Sequence, residues 1–488
     1  MSPPRCVPNN LQPVSLDKEN MENVLADLQA TIAKSLTILR RYSQVANTTN
    51  KNNDESETLY TGNSGIALMF LRIAVQYGAA GLEDSLGADF RSQIPIIIGE
   101  LLQPLKVHHA SHAHVSPLAT DTGPALVYIL ASLSYPSIIL SGENTSESKS
   151  KSESEDRWAV STKALRNAVQ VAIADDSLGG DEVLYGRAGL LWGMLNLRSW
   201  LGVELASQAR REDLNHIAGD QASIIEDLIN EIMEAGDSGS DLFTKSGEYK
   251  GLPLMWQWHG KYYLGAIHGV AGILTVVLQA PRKLIMPHLH VISSCIDALC
   301  TLVSQNDGHL PSSLPAKPHS YELVQICHGS PGFLLLLATF RACFPQEWHL
   351  DWNTAEALAS ERVWKDGLIT KGIGVCHGLA GNAWPWLLQA HARKGSPEAD
   401  VSLSRALAFL LHSRELPLLS RSGNAYLYRI SDHPYSLFEG LAGTVCAWMD
   451  ACVIIRERLA VTEGANSESI RYVFGIPGLG GAQVHSIL

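Results

Sequence analysis

The chain has 488 residues, 46% apolar and 18% charged, the composition of a globular protein with a sizeable core. A formal net charge of -12, with no run of lysine and arginine, excludes a general affinity for nucleic-acid phosphates. Eight cysteines over this length are too sparse for a disulfide scaffold, and the default compartment is the reducing cytoplasm.

From the N-terminus, Met1 to Pro13 is polar and proline-rich and lacks the apolar core of a secretory signal. Met21 to Leu39 follows, with Val24, Leu25, Leu28, Ile32, Leu36 and Leu39 at helical spacing. The turn Thr61-Gly62-Asn63-Ser64-Gly65-Ile66 then opens a run, Ala67 to Leu71, that is apolar all round and so belongs to a buried helix. His108, His109, His112 and His114 read as a solvated loop, and Asp121-Thr122-Gly123-Pro124-Ala125-Leu126 is a degenerate copy of the first turn. Residues 141–156 are rich in Ser, Glu and Lys and are expected to form a disordered surface insertion.

Tyr185-Gly186-Arg187-Ala188-Gly189-Leu190 is the next turn; its arginine requires a partner, which is read as tying turns together. A second amphipathic stretch, Ile224, Ile225, Leu228, Ile229 and Ile232, is followed by Gly/Ser/Asp-rich residues 234–250, expected to be a loop. His259 precedes the turn His268-Gly269-Val270-Ala271-Gly272-Ile273 and is placed to line an entrance, the tryptophans around it being packing residues. The remaining turns are His328-Gly329-Ser330-Pro331-Gly332-Phe333, His377-Gly378-Leu379-Ala380-Gly381-Asn382 and Glu439-Gly440-Leu441-Ala442-Gly443-Thr444. Apolar stretches such as Gly65 to Val75 and Phe333 to Thr339 fall short of the roughly 20 residues that span a bilayer, so no transmembrane segment is expected.

The second glycines of the turns, at 65, 123, 189, 272, 332, 381 and 443, recur at steps of roughly 50 to 80 residues, as in a helical-hairpin array. Alternating buried and amphipathic helices imply an inner ring inside an outer ring. The expected fold is all-α, a double-layered α/α toroid of seven hairpins forming one domain over residues 1–488.

Two turns are preceded by cysteine, as Cys327-His328-Gly329 and Cys376-His377-Gly378. Thiolate and imidazole are favoured zinc ligands, and two such pairs in register can converge at one end of a toroid. All four can ligate, closing a structural site; alternatively three ligate and a position stays open for water or substrate.

The segment Gly374 to Ala383 and the turn Cys327 to Gly332 resemble the zinc motifs of the eukaryotic lanthionine synthetase C-like proteins. So do Tyr263 to Gly272 and Ser436-Leu437-Phe438-Glu439-Gly440, and the likeness runs from near Tyr60 to about Asp450. The resemblance implies an α/α toroid with one zinc per chain, held by Cys327, Cys376 and His377, with His328 left out. It also implies addition of glutathione to dehydroalanine or dehydrobutyrine in peptides or proteins, with His268 as the acid/base residue. Lys371 matches a family lysine that contacts glutathione, Arg429 matches an arginine before the Ser-Leu-Phe-Glu-Gly segment, and Arg5 resembles an arginine that folds back toward the site.

A glutathione site must satisfy two carboxylates and an ammonium, which suits these cations, and Asp432 is placed to orient Arg429 or a substrate amine. An open S,S,N zinc site suits thiol activation, because coordination lowers a thiol's pKa. The competing reading is a zinc- and glutathione-binding adaptor without turnover. Phosphorylated peptides enter as substrates if the same site also eliminates phosphate to form the dehydroamino acid.

Overall fold

The computed structural model describes residues 4–49, 58–87, 89–102, 114–135, 147–174, 180–200, 208–218, 223–246, 251–420, 426–462 and 474–481. In chain order the helices are α1 Lys18–Thr49, α2 Asn63–Gln76, α3 Glu83–Leu86, α4 Phe90–Leu101, α5 Thr122–Ser134, α6 Glu147–Ala174, α7 Arg187–Trp200, α8 Gln208–Ala218, α9 Ile224–Lys245, α10 Val270–Val277, α11 Arg282–Ile285, α12 Leu289–Gln305, α13 Ser330–Cys343, α14 Trp352–Asp366, α15 Leu379–Ala392, α16 Pro397–Ser413 and α17 Leu441–Thr462. The small strands are β1 Gln257–Trp258, β2 Lys261–Tyr263 and β3 Ser313–Leu314, in one antiparallel sheet, and β4 Gly475–Ile476 paired with β5 Gly480–Gly481.

Helices α2, α5, α7, α10, α13, α15 and α17 each begin at a glycine turn and pack in that order, with α17 returning to α2. That closed ring is the inner layer. Its members are buried almost all round, as in α10, where every residue from Val270 to Val277 is buried. The outer layer, α1, α4, α6, α9, α12, α14 and α16, is amphipathic; α9 buries Ile225, Leu228, Ile229, Ile232 and Met233 and leaves its opposite face in solvent. The fold is the α/α toroid, and all the turns that open inner helices gather at one end.

Those turns are joined into a hydrogen-bonded girdle. Tyr60 N–H donates to Leu118 C=O at 2.8 Å, Ser116 to Tyr185 at 2.8 Å, Val183 to Ile267 at 3.0 Å and Ala266 to Ile326 at 3.1 Å. Cys327 donates to Cys376 at 3.2 Å, Cys376 to Phe438 at 2.8 Å, and Phe438 back to Tyr60 at 3.2 Å. Each turn thereby satisfies polar backbone groups of its neighbour at this end of the ring. The glycines permit this closeness: a Cβ on Gly265 would stand 2.0 Å from the carbonyl oxygen of Cys327 on the adjacent turn.

Two expectations change. The stretch 234–250 was expected to be a loop, yet α9 continues to Lys245. Gly236 and Gly239 lie on its packed face, where a Cβ would come within 2.5 Å of the Trp256 ring and 2.0 Å of the Met255 carbonyl oxygen. They are contact glycines within a helix, not turn glycines. In the expected insertion at 141–156, residues 141–146 lie outside the described residues, and from Glu147 the backbone is already helical, in α6. Glu and Lys are good helix formers, so a composition that lacks core residues does not preclude an N-terminal extension of a packed helix.

Of the loop histidines, His114 is described and exposed; His108, His109 and His112 lie outside the described residues. Arg187 does tie elements together, with Nη1 2.8 Å from Asp181 Oδ1 and Nε donating to Ala172 C=O at 2.8 Å. Among the described residues, Arg282–Gln305 is long and apolar enough to cross a membrane. It comprises α11, a short 3-10 turn and α12, and its apolar face, with Ile292, Ile296, Leu299 and Val303, is buried in the toroid core.

Candidate metal centre

Cys327 and Cys376 sit at equivalent positions of adjacent turns, five residues before Gly332 and Gly381. The girdle bond from Cys327 N–H to Cys376 C=O brings the two backbones together, and His377 follows on the second turn. As a result the ligand atoms of Cys327, Cys376 and His377 lie within 4.8 Å of one another. Tetrahedral zinc, with sulfur at about 2.3 Å, sets its sulfur ligands about 3.8 Å apart, so the donor type and the spacing both fit that ion. Three protein donors would leave the fourth position of a tetrahedral ion to water or another ligand. His328 is outside this group.

The electrostatics are those of a donor set sharing a proton. Cys327 is pushed below the usual thiol range, chiefly by its hydrogen bond with Cys376 and, less, by the nearby Lys371. Cys376 is pushed well up by the same hydrogen bond and by burial. Burial pulls the His377 imidazole down, but the hydrogen bond and charge of Cys376 outweigh it and the net shift is upward. The two thiols therefore titrate as a coupled pair, Cys327 first. Gln325 Nε2 donates to Cys327 Sγ at 3.0 Å and orients that sulfur.

His268 stands on the turn next to Cys327. Its Nδ1 lies 2.7 Å from Glu182 Oε2, and Glu182 is 2% exposed. Glu182 also accepts from Leu184 N–H at 2.9 Å and Tyr185 N–H at 2.5 Å, so an acceptor-only carboxylate makes Nδ1 the donor and leaves Nε2 for the site. The His268 ring faces those of Tyr263, His328 and Trp258 at centroid distances of 5.8, 6.3 and 6.4 Å. Burial, with the nearby His268 next in weight, pushes His328 down to about 4, so it is neutral at physiological pH. His259 is exposed beside Trp258, which is itself mostly buried.

The three cationic candidates are brought together by backbone pairing. Thr370 N–H donates to Arg5 C=O at 2.9 Å and Arg429 N–H donates to Thr370 C=O at 2.8 Å, so Arg5, Lys371 and Arg429 lie along one edge beside the second metal turn. Lys371 and Arg429 are exposed. Arg5 pairs with Glu322 at 2.7 Å, a partner that sequence reading did not supply. Asp432 is exposed and makes no ion pair with Arg429 among the described residues.

Glu182 and Tyr60 were not singled out from sequence. Tyr60 stacks on Phe438 at 4.7 Å between ring centroids, which places its hydroxyl near the Cys376 thiol. Burial and the two cysteines push that phenol well up, so it remains a protonated donor. A signal for Tyr60 was present: it stands five residues before Gly65, the register of Cys327 and Cys376 in their own turns. Glu182 carries no such mark.

A family model described as lanthionine synthetase C-like protein matches residues 53–452. The chain is 31% identical over 269 residues to the LanC-like protein GCL1 of Arabidopsis thaliana, covering 55% of this chain and 54% of that protein. It is 29% identical over 267 residues to the glutathione S-transferase LANCL1 of Danio rerio, covering 54% and 57%. The chain thus spans about half the length of these curated relatives. Among solved structures, a nisin cyclase superposes with a TM-score of 0.51 at 14% identity, over 87% of this chain and 98% of the cyclase, a likeness of fold.

Proposed function

We propose, from the premise that the chain belongs to the lanthionine synthetase C-like family, that it forms thioethers by adding glutathione to dehydroalanine or dehydrobutyrine residues of peptides or proteins. The observation that carries this reading is the convergence of Cys327, Cys376 and His377 within 4.8 Å, an S,S,N donor set one ligand short of tetrahedral. These three residues would hold a zinc ion, which when bound would supply a Lewis acid that favours the thiolate form of a thiol at neutral pH. The printed name of the zebrafish relative, a glutathione S-transferase, supports glutathione as the thiol.

The chain's own residues then divide the work. Lys371 and Arg429, with Arg5 beside them, offer cations to the glutathione carboxylates, and Asp432 an acceptor to its ammonium. The glutathione sulfur adds to Cβ of the dehydroamino acid, and the electron pair pushed onto the carbonyl returns as Cα takes a proton. His268 Nε2 takes up the proton that the glutathione thiol loses and, as the imidazolium, delivers it to Cα, while Glu182 holds the ring through Nδ1. The reduced thiols that the site needs suit a cytoplasmic location.

The test is mass spectrometry of a dehydroalanine peptide incubated with glutathione and the zinc-loaded chain, beside the His268→Ala variant. The expected result is a glutathione adduct with the wild type and at least a hundredfold slower formation with the variant, glutathione binding being retained. Glutathione binding with no adduct from either protein overturns the enzyme in favour of a zinc- and glutathione-binding adaptor. A phosphopeptide incubated without thiol tests elimination separately; an unchanged peptide mass removes that activity.

A further inference from the structure

The lumen of the toroid is occupied by the chain's own C-terminal segment. Phe474, Ile476 and Leu479 are 0% exposed, and β4 and β5 pack against α10, α13, α15 and α17, all of the inner ring. Two sets of buried polar side chains clasp the segment. Asp450 on α17 and Arg72 on α2 form an ion pair at 2.6 Å, with side chains 0% and 1% exposed. Asp450 Oδ2 accepts from Gly475 N–H at 3.0 Å and from Trp384 Nε1 at 2.8 Å, Oδ1 accepts from Gln76 Nε2 at 2.8 Å, and Arg72 Nη1 donates to Gly475 C=O at 2.7 Å. Gln279 Nε2 donates to Leu479 C=O at 2.7 Å.

A buried ion pair is costly unless its remaining lone pairs and protons are met, and here one residue of the hairpin, Gly475, meets both partners. These side chains are therefore explained as a grip on the hairpin. The grip aims the tip at the girdle. Gly478, at φ +84°, has so little room that a Cβ would lie 2.8 Å from Phe438 Cζ and 2.9 Å from Leu118 Cδ2. Phe438 is the residue whose carbonyl accepts from both Val375 and Cys376 N–H at 2.8 Å and whose ring stacks on Tyr60.

We infer that the hairpin 474–481 is an internal plug that positions the metal-ligand turn: its tip sets Phe438, and Phe438 sets the Cys376 backbone and the Tyr60 ring. Phe438, Tyr60 and Gly478 are positioning residues. Loosening the tip loosens residues 372–378, which lie far from it in sequence.

The test is amide hydrogen exchange of the full-length chain, followed peptide by peptide in the wild type, Gly478→Ala and Gly395→Ala. Gly395, also at φ +84°, has nothing within 4 Å of a Cβ, so its variant carries the same backbone strain without the contact. The expected result is at least tenfold faster exchange in both 474–481 and 372–378 for Gly478→Ala, and neither change for Gly395→Ala. In zinc-loaded protein the same variant gives up metal to a chelator at least tenfold faster. Exchange that quickens in 474–481 alone, or in neither segment, overturns the inference.

If Gly478→Ala does not fold, the wild type decides, in sub-denaturing guanidinium. Opening of the two segments at one common free energy supports the coupling, and opening of 474–481 while 372–378 stays protected refutes it. A chain that binds no zinc defeats the metal reading and leaves the exchange measurement intact.

Discussion

Replacing Cys376 by alanine separates a metal centre from a pair of packing cysteines. The side chain is 4% exposed, but the backbone contacts of this residue, from its N–H to Phe438 and from Cys327 N–H to its carbonyl, are independent of the sulfur. The variant therefore keeps its turn and loses one of three donors. Structural zinc sites bind with about 10–16 kcal/mol spread over four ligands, so one ligand accounts for about 2.5–4 kcal/mol. That corresponds to a fall of about 10²–10³ in affinity. Wild-type protein passed over a desalting column should carry about one zinc per chain by elemental mass spectrometry, and the variant close to none. Wild-type protein should also gain about 2.7 kcal/mol of stability at free zinc a hundredfold above its Kd, a gain absent from the variant at the same zinc. Wild-type protein that folds without metal and shows no stability response to zinc would refute the reasoning.

Glu182→Gln removes the carboxylate that holds His268 Nδ1. Adduct formation should slow by about 10²-fold with zinc content and the KM for glutathione unchanged, and a rate within threefold of wild type would remove Glu182 from the site. Lys371→Ala and Arg429→Ala should each raise that KM by about tenfold, an effect weakened at high salt, with zinc retained. Burial, and next the nearby Lys394, lower the pKa of His391, which packs on Phe474 of the plug at 4.8 Å. A histidine with a depressed folded pKa contributes stability that is complete above its unfolded value of about 6.5 and is lost as pH falls toward the folded one, by up to about 1.4 kcal/mol per pH unit. Urea unfolding at pH 7.5 and 5 should show a smaller acid loss for His391→Phe than for wild type.

The register of the turns carried most of the candidate site. Cys327 and Cys376 are legible as a pair because each stands five residues before a repeat glycine, and the repeat makes equivalent positions neighbours in space. His377, His268, Lys371 and Arg429 follow from the same motifs and the family resemblance they carry. Tyr60 shares the register of the cysteines but was read as part of an ordinary turn, because its hydroxyl acquires meaning only opposite Cys376. Gly236 and Gly239 look like loop residues until Trp256 and Met255 are seen against them.

Burial around each inner helix and the conformations of the glycine turns are local properties, written in hydrophobic period and residue type, so sequence alone determined the two-layered helical ring and marked the candidate residues at the end where its turns gather. Closure of the ring is not local. Which turn donates to which, the carboxylate of Glu182 behind His268, the grip of Arg72 and Asp450 on Gly475, and the pressure of Gly478 on Phe438 depend on segments up to 403 residues apart meeting in one lumen. Such contacts leave no period in the chain, because each is made once, and the tertiary structure alone decided them.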